Sequence, residues 1–261
     1  MKKKSLRIIG VSSFVIGILI LFYLSVMMVW AEIEATFFNA MFKSDEPLAG
    51  LSCPAFITTN EIAEVTGRFE NTFEKTVNME IRTYVTDGFV TLMTEYISNF
   101  TLEPGQTEFV NVQVTADEAA YDRFVMVRMH QMKRNPFPYQ NASCGIVVVG
   151  VPFLTGSQFL VLMIALGTLF SLGGIIFWAV NSKPAVRERL KALQAMIFLL
   201  IITIALLVTS LLNSWFIGII ILVVWILMAV GMVWQFSMTE RKKDFEEIKK
   251  IDAMDQSDLW E

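Results

Sequence analysis

The sequence predicts an α+β membrane protein: four transmembrane helices with an antiparallel β-sandwich inserted between the first and the second. Three observations carry this. Four blocks of about twenty residues contain no Asp, Glu, Lys, Arg or His. Basic residues flank those blocks on alternate sides. Between the first two blocks lies a long run of short alternating segments punctuated by turn residues.

Composition agrees. The 261 residues are 54% hydrophobic and 18% charged, with mean hydropathy +0.55. Soluble domains run about 45–50% apolar and about 25% charged. The excess is concentrated in residues 8–30, 158–180, 193–212 and 215–236. Each block is long enough to cross a hydrocarbon core of about 30 Å at about 1.5 Å per helical residue. An ordinary soluble enzyme is excluded.

The N-terminus, 1–7, is basic, with Lys2, Lys3, Lys4 and Arg7. The first block follows at 8–30. Val29-Trp30-Ala31 resembles a signal-peptide cleavage site. A signal core runs about 7–15 residues and this one exceeds twenty, which favours a retained anchor. Residues 31–50 form a stalk or linker. Its first part, 32–42, continues the helix with Ile33, Phe37 and Met41 on one face, and Asp45-Glu46-Pro47 ends it.

Residues 51–152 read as seven strands, at 55–59, 64–71, 76–86, 90–97, 107–115, 123–132 and 145–151. In Val77-Asn78-Met79-Glu80-Ile81-Arg82 every second side chain is apolar, and Val110, Val112 and Val114 alternate with polar partners. Val125-Met126-Val127-Arg128-Met129 is mixed. Asp87-Gly88 and Pro104-Gly105 supply turns. Gly145 and Gly150 read as turns flanking the last strand.

The run Asn71-Thr72, then a Gly turn, then Leu102-Glu103-Pro104-Gly105-Gln106-Thr107 leading into the valine alternation, resembles immunoglobulin-like or fibronectin type III-like surface modules, including the cell-adhesion-related (CARDB) type. The resemblance covers residues 50–152. It implies a sandwich fold and carries no catalytic residue. The large segment between the first two of four helices also resembles the claudin plan in topology, but the claudin Trp-Gly-Leu-Trp-Cys-Cys pattern is absent.

The chain has two cysteines, Cys53 and Cys144, at opposite ends of the sandwich sequence. In a seven-strand alternating sandwich, the first and last strands run the same way. If they are neighbours, the cysteines meet, at the membrane-distal end. An oxidising compartment favours a disulfide over two buried thiols. Closing a loop of about ninety residues stabilises by about 4 kcal/mol in the chain-entropy model. Asn99-Phe100-Thr101 and Asn141-Ala142-Ser143 are sequons, candidate glycosylation sites if the host modifies them.

Small residues stripe two helices: Gly10, Ser13 and Gly17 on the first, and Gly167, Ser171 and Gly174 on the second. Such faces admit close helix approach. They serve either packing inside the bundle or docking of a partner subunit. The loop 181–192 is basic, with Lys183, Arg187, Arg189 and Lys191, and Arg241, Lys242 and Lys243 follow the fourth block. Together with the N-terminus, these basic segments place both termini in the cytoplasm and 31–157 outside. That outer stretch holds sixteen acidic and eight basic residues. Trp30, Trp178, Trp215 and Trp234 stand near block ends, as an aromatic belt does. The charged tail, 237–261, is an interfacial helix or a solvated extension.

No chemistry stands out. The single histidine, His130, has no second histidine to form a metal site. P-loop, nucleophile-elbow and Cys-x-x-Cys patterns are absent. The acidic exterior argues against nucleic acid, and the uncharged helices argue against a self-contained ion-coupled pump. The expectation is a non-enzymatic protein without metal or cofactor, residing in the bilayer of the cell membrane. Its partners are other membrane subunits, with a homo-oligomer an option. It acts as an accessory or scaffold subunit with an extracytoplasmic recognition domain. The alternatives are a channel or transporter subunit, or a sensor with a cytoplasmic output tail.

Overall fold

The structure is a computed structural model that describes residues 2–40, 46–48, 50–132, 139–181, 187–232 and 234. Lys183, Arg241, Lys242, Lys243 and the tail 237–261 lie outside the described residues, as does Met41.

Helix α1, Lys2–Asn39, is one continuous run of 38 residues. It contains no proline, so nothing removes a donor from its ladder. At about 1.5 Å per residue it is nearly twice as long as a hydrocarbon core is thick. Helix α2 is Gly156–Asn181 and α3 is Arg187–Leu211. Helix α4 spans Trp215–Met232. All four are long and apolar enough to cross a membrane. Lys2, Lys3, Lys4 and Arg7 lie in the first turns of α1, and Arg187, Arg189 and Lys191 open α3. Asn213, at φ 54°, turns the chain between α3 and α4, and the Ser214 N–H donates to the Thr209 carbonyl.

The strands between α1 and α2 are β1 (Glu46–Pro47), β2 (Leu51–Ser52), β3 (Phe56–Thr58), β4 (Ile62–Glu70), β5 (Val77–Asp87), β6 (Phe89–Leu102), β7 (Thr107–Thr115), β8 (Phe124–Gln131) and β9 (Gln140–Val149). The larger sheet has the order β1-β9-β8-β5-β6, with β3 also on β9; the smaller is β2-β4-β7. Their facing sides share a core that includes Val65, Phe69, Val112 and Val114 against Ile81, Val127, Met129 and Ile146.

Four expectations need correction. The larger sheet is mixed rather than antiparallel, because β1 and β3 both run parallel to β9. Strand β9 begins at Gln140, five residues early, and Gly145 lies inside it rather than at a turn. A Cβ at Gly145 would fall on the backbone of Ala31, so glycine there allows α1 to lie against the strand. Strand β6 runs on to Leu102, because β5 pairs with it along its whole length. Finally, the stalk buries Ala31, Ala35 and Phe38, while Phe37 is 70% exposed. The larger sheet meets α1 on the Ala35 side, where Phe38 packs with Ala120 and Met126.

That helix also explains the mixed pattern of β8. The strand is buried at every position. Val125, Val127 and Met129 enter the core between the sheets. Phe124 and Met126 pack with the helices instead. A strand covered on both faces loses its polar alternation.

Candidate functional site

The described residues concentrate their buried polar chemistry where the sheets meet the helices. Arg128 is buried on β8. Its Nη1 donates to the Phe38 carbonyl oxygen at 2.9 Å. Its guanidinium carbon lies 4.8 Å from the Phe38 ring centroid and 4.7 Å from that of Tyr84. Phe38 occupies the last turn of α1, where carbonyls lack helical partners and a cation is favoured. Burial lowers the Arg128 pKa from its ordinary value, but an arginine so far above neutrality stays charged.

Two positions on, His130 is buried with its ring edge-on to Tyr84 at 5.5 Å. The Tyr139 hydroxyl hydrogen-bonds His130 Nδ1. Burial, and then the nearby Arg128 charge, push the His130 pKa down to about 4. The ring is therefore neutral at physiological pH. Burial raises the Tyr139 pKa, so both partners of this bond are uncharged. The lone histidine is a structural member of a buried aromatic cluster.

Cys53 and Cys144 are joined, with Cα atoms 6.5 Å apart. The parallel register explains the meeting: Phe56 pairs with Val147, so residues three before each fall side by side. The bridge is not at the membrane-distal end expected from strand counting. It lines a small cavity with Met28, Glu32, Gly145, Ser210 and Asn213, beside the α3–α4 turn. The reason is that β9 starts well before Cys144, and α1 climbs past it to bring Asn39 against Asn141. Glu32 is buried there, with Oε1 accepting from the Gly145 N–H at 3.5 Å.

A second polar latch was not legible in the sequence. Glu61, in the β3–β4 connection, accepts through Oε2 from the Gly156 N–H at 2.6 Å and from the Thr58 N–H at 3.0 Å. Gly156 opens α2. A carboxylate there satisfies an orphan donor and faces the positive end of the helix dipole. Thr155 and Gln158 complete the cap reciprocally, side chain to backbone N–H. The only local signal was the Thr155–Gln158 spacing; the carboxylate comes from 95 positions away.

The two small-residue stripes face each other. A Cβ on Gly17 would fall on Ser171 and the Gly167 backbone, and one on Gly174 on the backbone of Phe14 and Gly10. Ser13 Oγ donates to the Phe170 carbonyl at 2.9 Å. Both stripes are thus occupied by helix packing. Deeper in the bundle, the Trp225 indole N–H donates to Thr203 Oγ1 at 2.8 Å. Of the sequon asparagines, Asn99 is exposed on β6, whereas Asn141 is buried and accepts from Asn39 at 3.2 Å.

Among the described residues, no group of three or more His, Cys, Asp or Glu is arranged to hold a metal. The polar clusters join elements to one another.

No family model matches the sequence, and no curated protein matches it. Among solved structures, a Bacteroides uniformis beta-glucuronidase is similar over 38% of this chain and 12% of its own, at 15% identity and TM-score 0.29. A Listeria innocua beta-glucosidase in complex with glucose is similar over 38% and 15%, at 13% identity and TM-score 0.28. The chain spans less than a fifth of either.

Proposed function

We propose that the chain is a non-enzymatic, multi-pass subunit of a membrane assembly, an accessory or scaffold protein of the cell membrane. Both termini are cytoplasmic in this reading. Residues 31–157 stand outside as an immunoglobulin-like sandwich that presents a surface to another subunit.

The observation that carries the proposal is the fastening of α1. A single helix runs from the apolar bundle along the larger sheet, held by Arg128 at its end and by Gly145 against Ala31. Glu61 holds α2 to the same sheet. These contacts suit a fixed platform better than a hinged ligand clamp. Among the described residues, an unpaired sheet edge supports the reading further. Strand β6 ends the sheet order and contains no Lys or Pro to block pairing. It exposes Leu92, Met93, Tyr96 and Ile97. A partner chain adding a strand there would gain main-chain hydrogen bonds and side-chain pockets.

Mild-detergent affinity purification with mass spectrometry tests this. A stoichiometric set of membrane proteins is expected with the parent chain, and it should be lost on Ile97→Lys. A lone, homogeneous protein from the native membrane would refute the subunit reading.

A further inference from the structure

We infer that the sheet domain rests on the outer face of the bilayer through an apolar rim formed by Ile62, Phe89, Tyr121 and Phe153. The inference builds on the proposed membrane topology. It adds a specific lipid-contacting surface outside the helices.

The four residues are far apart in sequence but share one end of the domain. Register fixes this. Phe124 pairs with Val147, and Val147 with Phe56, so the start of β8 and the ends of β9 and β3 lie together. The β5–β6 turn joins them, because the Tyr121 N–H donates to the Gly88 carbonyl. Thr86 Oγ1 donates to the Glu118 carbonyl in the β7–β8 connection. Ile62 pairs with Thr115, which precedes that connection. This same end meets the helices: Trp30 stacks near Phe124 at 6.3 Å, Phe56 near Phe159 at 5.7 Å, and Glu61 holds Gly156.

Each connection at this end puts a large apolar side chain into the open. Ile62 is 68% exposed, Phe89 57%, Tyr121 61% and Phe153 90%. Tyr121 and Asp122 adopt left-handed backbone, at φ 57° and 54°. Non-glycine residues occupy that region at a cost, and here it accompanies an outward tyrosine. The opposite end is built differently. Its described turns expose Thr72, Glu74 and Lys75, and Glu103 through Gln106, while Phe73 folds back against the core. An apolar rim formed by four separate connections, continuous with apolar helices, fits the interfacial zone where aromatic side chains reside.

The rim also selects the lipid. Asp87, Asp117 and Asp122 are exposed around it, with Arg123 the exposed basic residue among them. Net negative charge opposes anionic headgroups. The occupant is therefore the neutral headgroup region, entered by apolar contact.

The test places the full chain in phosphatidylcholine vesicles carrying chain-brominated phosphatidylcholine. Four variants are read as difference emission against the parent: Tyr121→Trp and Phe153→Trp on the rim, Phe109→Trp at the opposite end, and Ile176→Trp on the outer face of α2. Each keeps the Cys53–Cys144 bridge as a check on folding. The expected result is loss of emission on bromination for Tyr121→Trp, Phe153→Trp and Ile176→Trp, with protection from aqueous acrylamide. Phe109→Trp should respond to acrylamide alone. If only Ile176→Trp loses emission, the helices are embedded and the rim proposal is overturned. If Ile176→Trp also keeps its emission, the membrane reading itself falls, and the rim with it.

Discussion

Arg128 donates to the carbonyl oxygen of Phe38, ninety positions earlier in the chain. The bond joins the end of a helix to the middle of a strand and neutralises part of the helix's negative pole. Arg128→Met keeps the stem and removes the donors and the charge. We expect a loss of about 2–4 kcal/mol, from an orphaned buried carbonyl and lost ring contacts. Arg128→Lys should recover less than half of it, because an ammonium cannot donate to Phe38 and lie flat between two rings. Thermal unfolding of the intact chain in detergent measures both.

The His130 cluster makes stability depend on pH. Its folded pKa is about 4, below the ordinary histidine value of 6.5. The unfolded chain therefore binds the proton more readily. The stabilisation is fully present above about pH 6.5 and is lost as pH falls from there toward 4, amounting to about 3 kcal/mol. The groups facing the ring are Arg128, Tyr84 and Tyr139, none of which titrates in that window. His130→Phe should flatten the curve between those values. An unchanged slope in the variant would assign the pH dependence to other groups.

Much of this arrangement is legible in the sequence. The apolar blocks define α1 to α4 because each is long enough and uncharged. Five of the seven expected strands meet their counterparts within about two residues at each end. Counting strand directions brings Cys53 and Cys144 together if the first and last strands are neighbours, but it puts the bridge at the wrong end of the domain. What stayed hidden are relations between distant elements. Glu61 looks like any surface carboxylate until Gly156 arrives beside it. The expected apolar face of Ile33 and Phe37 fails because a helix against a close strand prefers small side chains, and Ala31 and Ala35 take that role. The polar residues Asn141 and Ser143 mask the start of β9, since the face they share with Gly145 meets α1 rather than an apolar core.

Breaking the disulfide should weaken the domain without dissolving it. Cys53→Ser with Cys144→Ser removes a bridge across 91 positions, and the loss expected from loop entropy is about 4 kcal/mol. The domain keeps its two-sheet core. The expected outcome is a lowered melting point with retained strand signal in circular dichroism. Complete loss of strand signal would make the bridge a requirement for folding.

Glycosylation discriminates between the two sequons by burial. Asn99 is exposed, whereas Asn141 is 6% exposed and bonded to Asn39. In a host that glycosylates, Asn99→Gln should abolish any glycosidase-sensitive mobility shift and Asn141→Gln should leave it intact. The reverse pattern would mean that Asn141 is accessible in the folded domain and not buried against Asn39.

Adding one methyl group at two glycines separates close packing from helix propensity. At Gly17 a Cβ would collide with Ser171 and the Gly167 backbone, and backbone cannot swing aside as a side chain can. At Gly173, on the same partner helix, nothing lies within 4 Å. Gly173→Ala should be neutral or stabilising by up to about 1 kcal/mol, the ordinary helical gain over glycine. Gly17→Ala has the same intrinsic gain but must push α1 and α2 apart along the stripe that Gly10 and Gly174 continue. We expect it to destabilise by about 1–3 kcal/mol, as overpacking of a tight contact does. Resistance of the α1–α2 pair to protease in detergent reads the difference directly. Equal behaviour of the two variants would mean that the helices do not meet through these glycines, and the small stripes would then be free to face another chain.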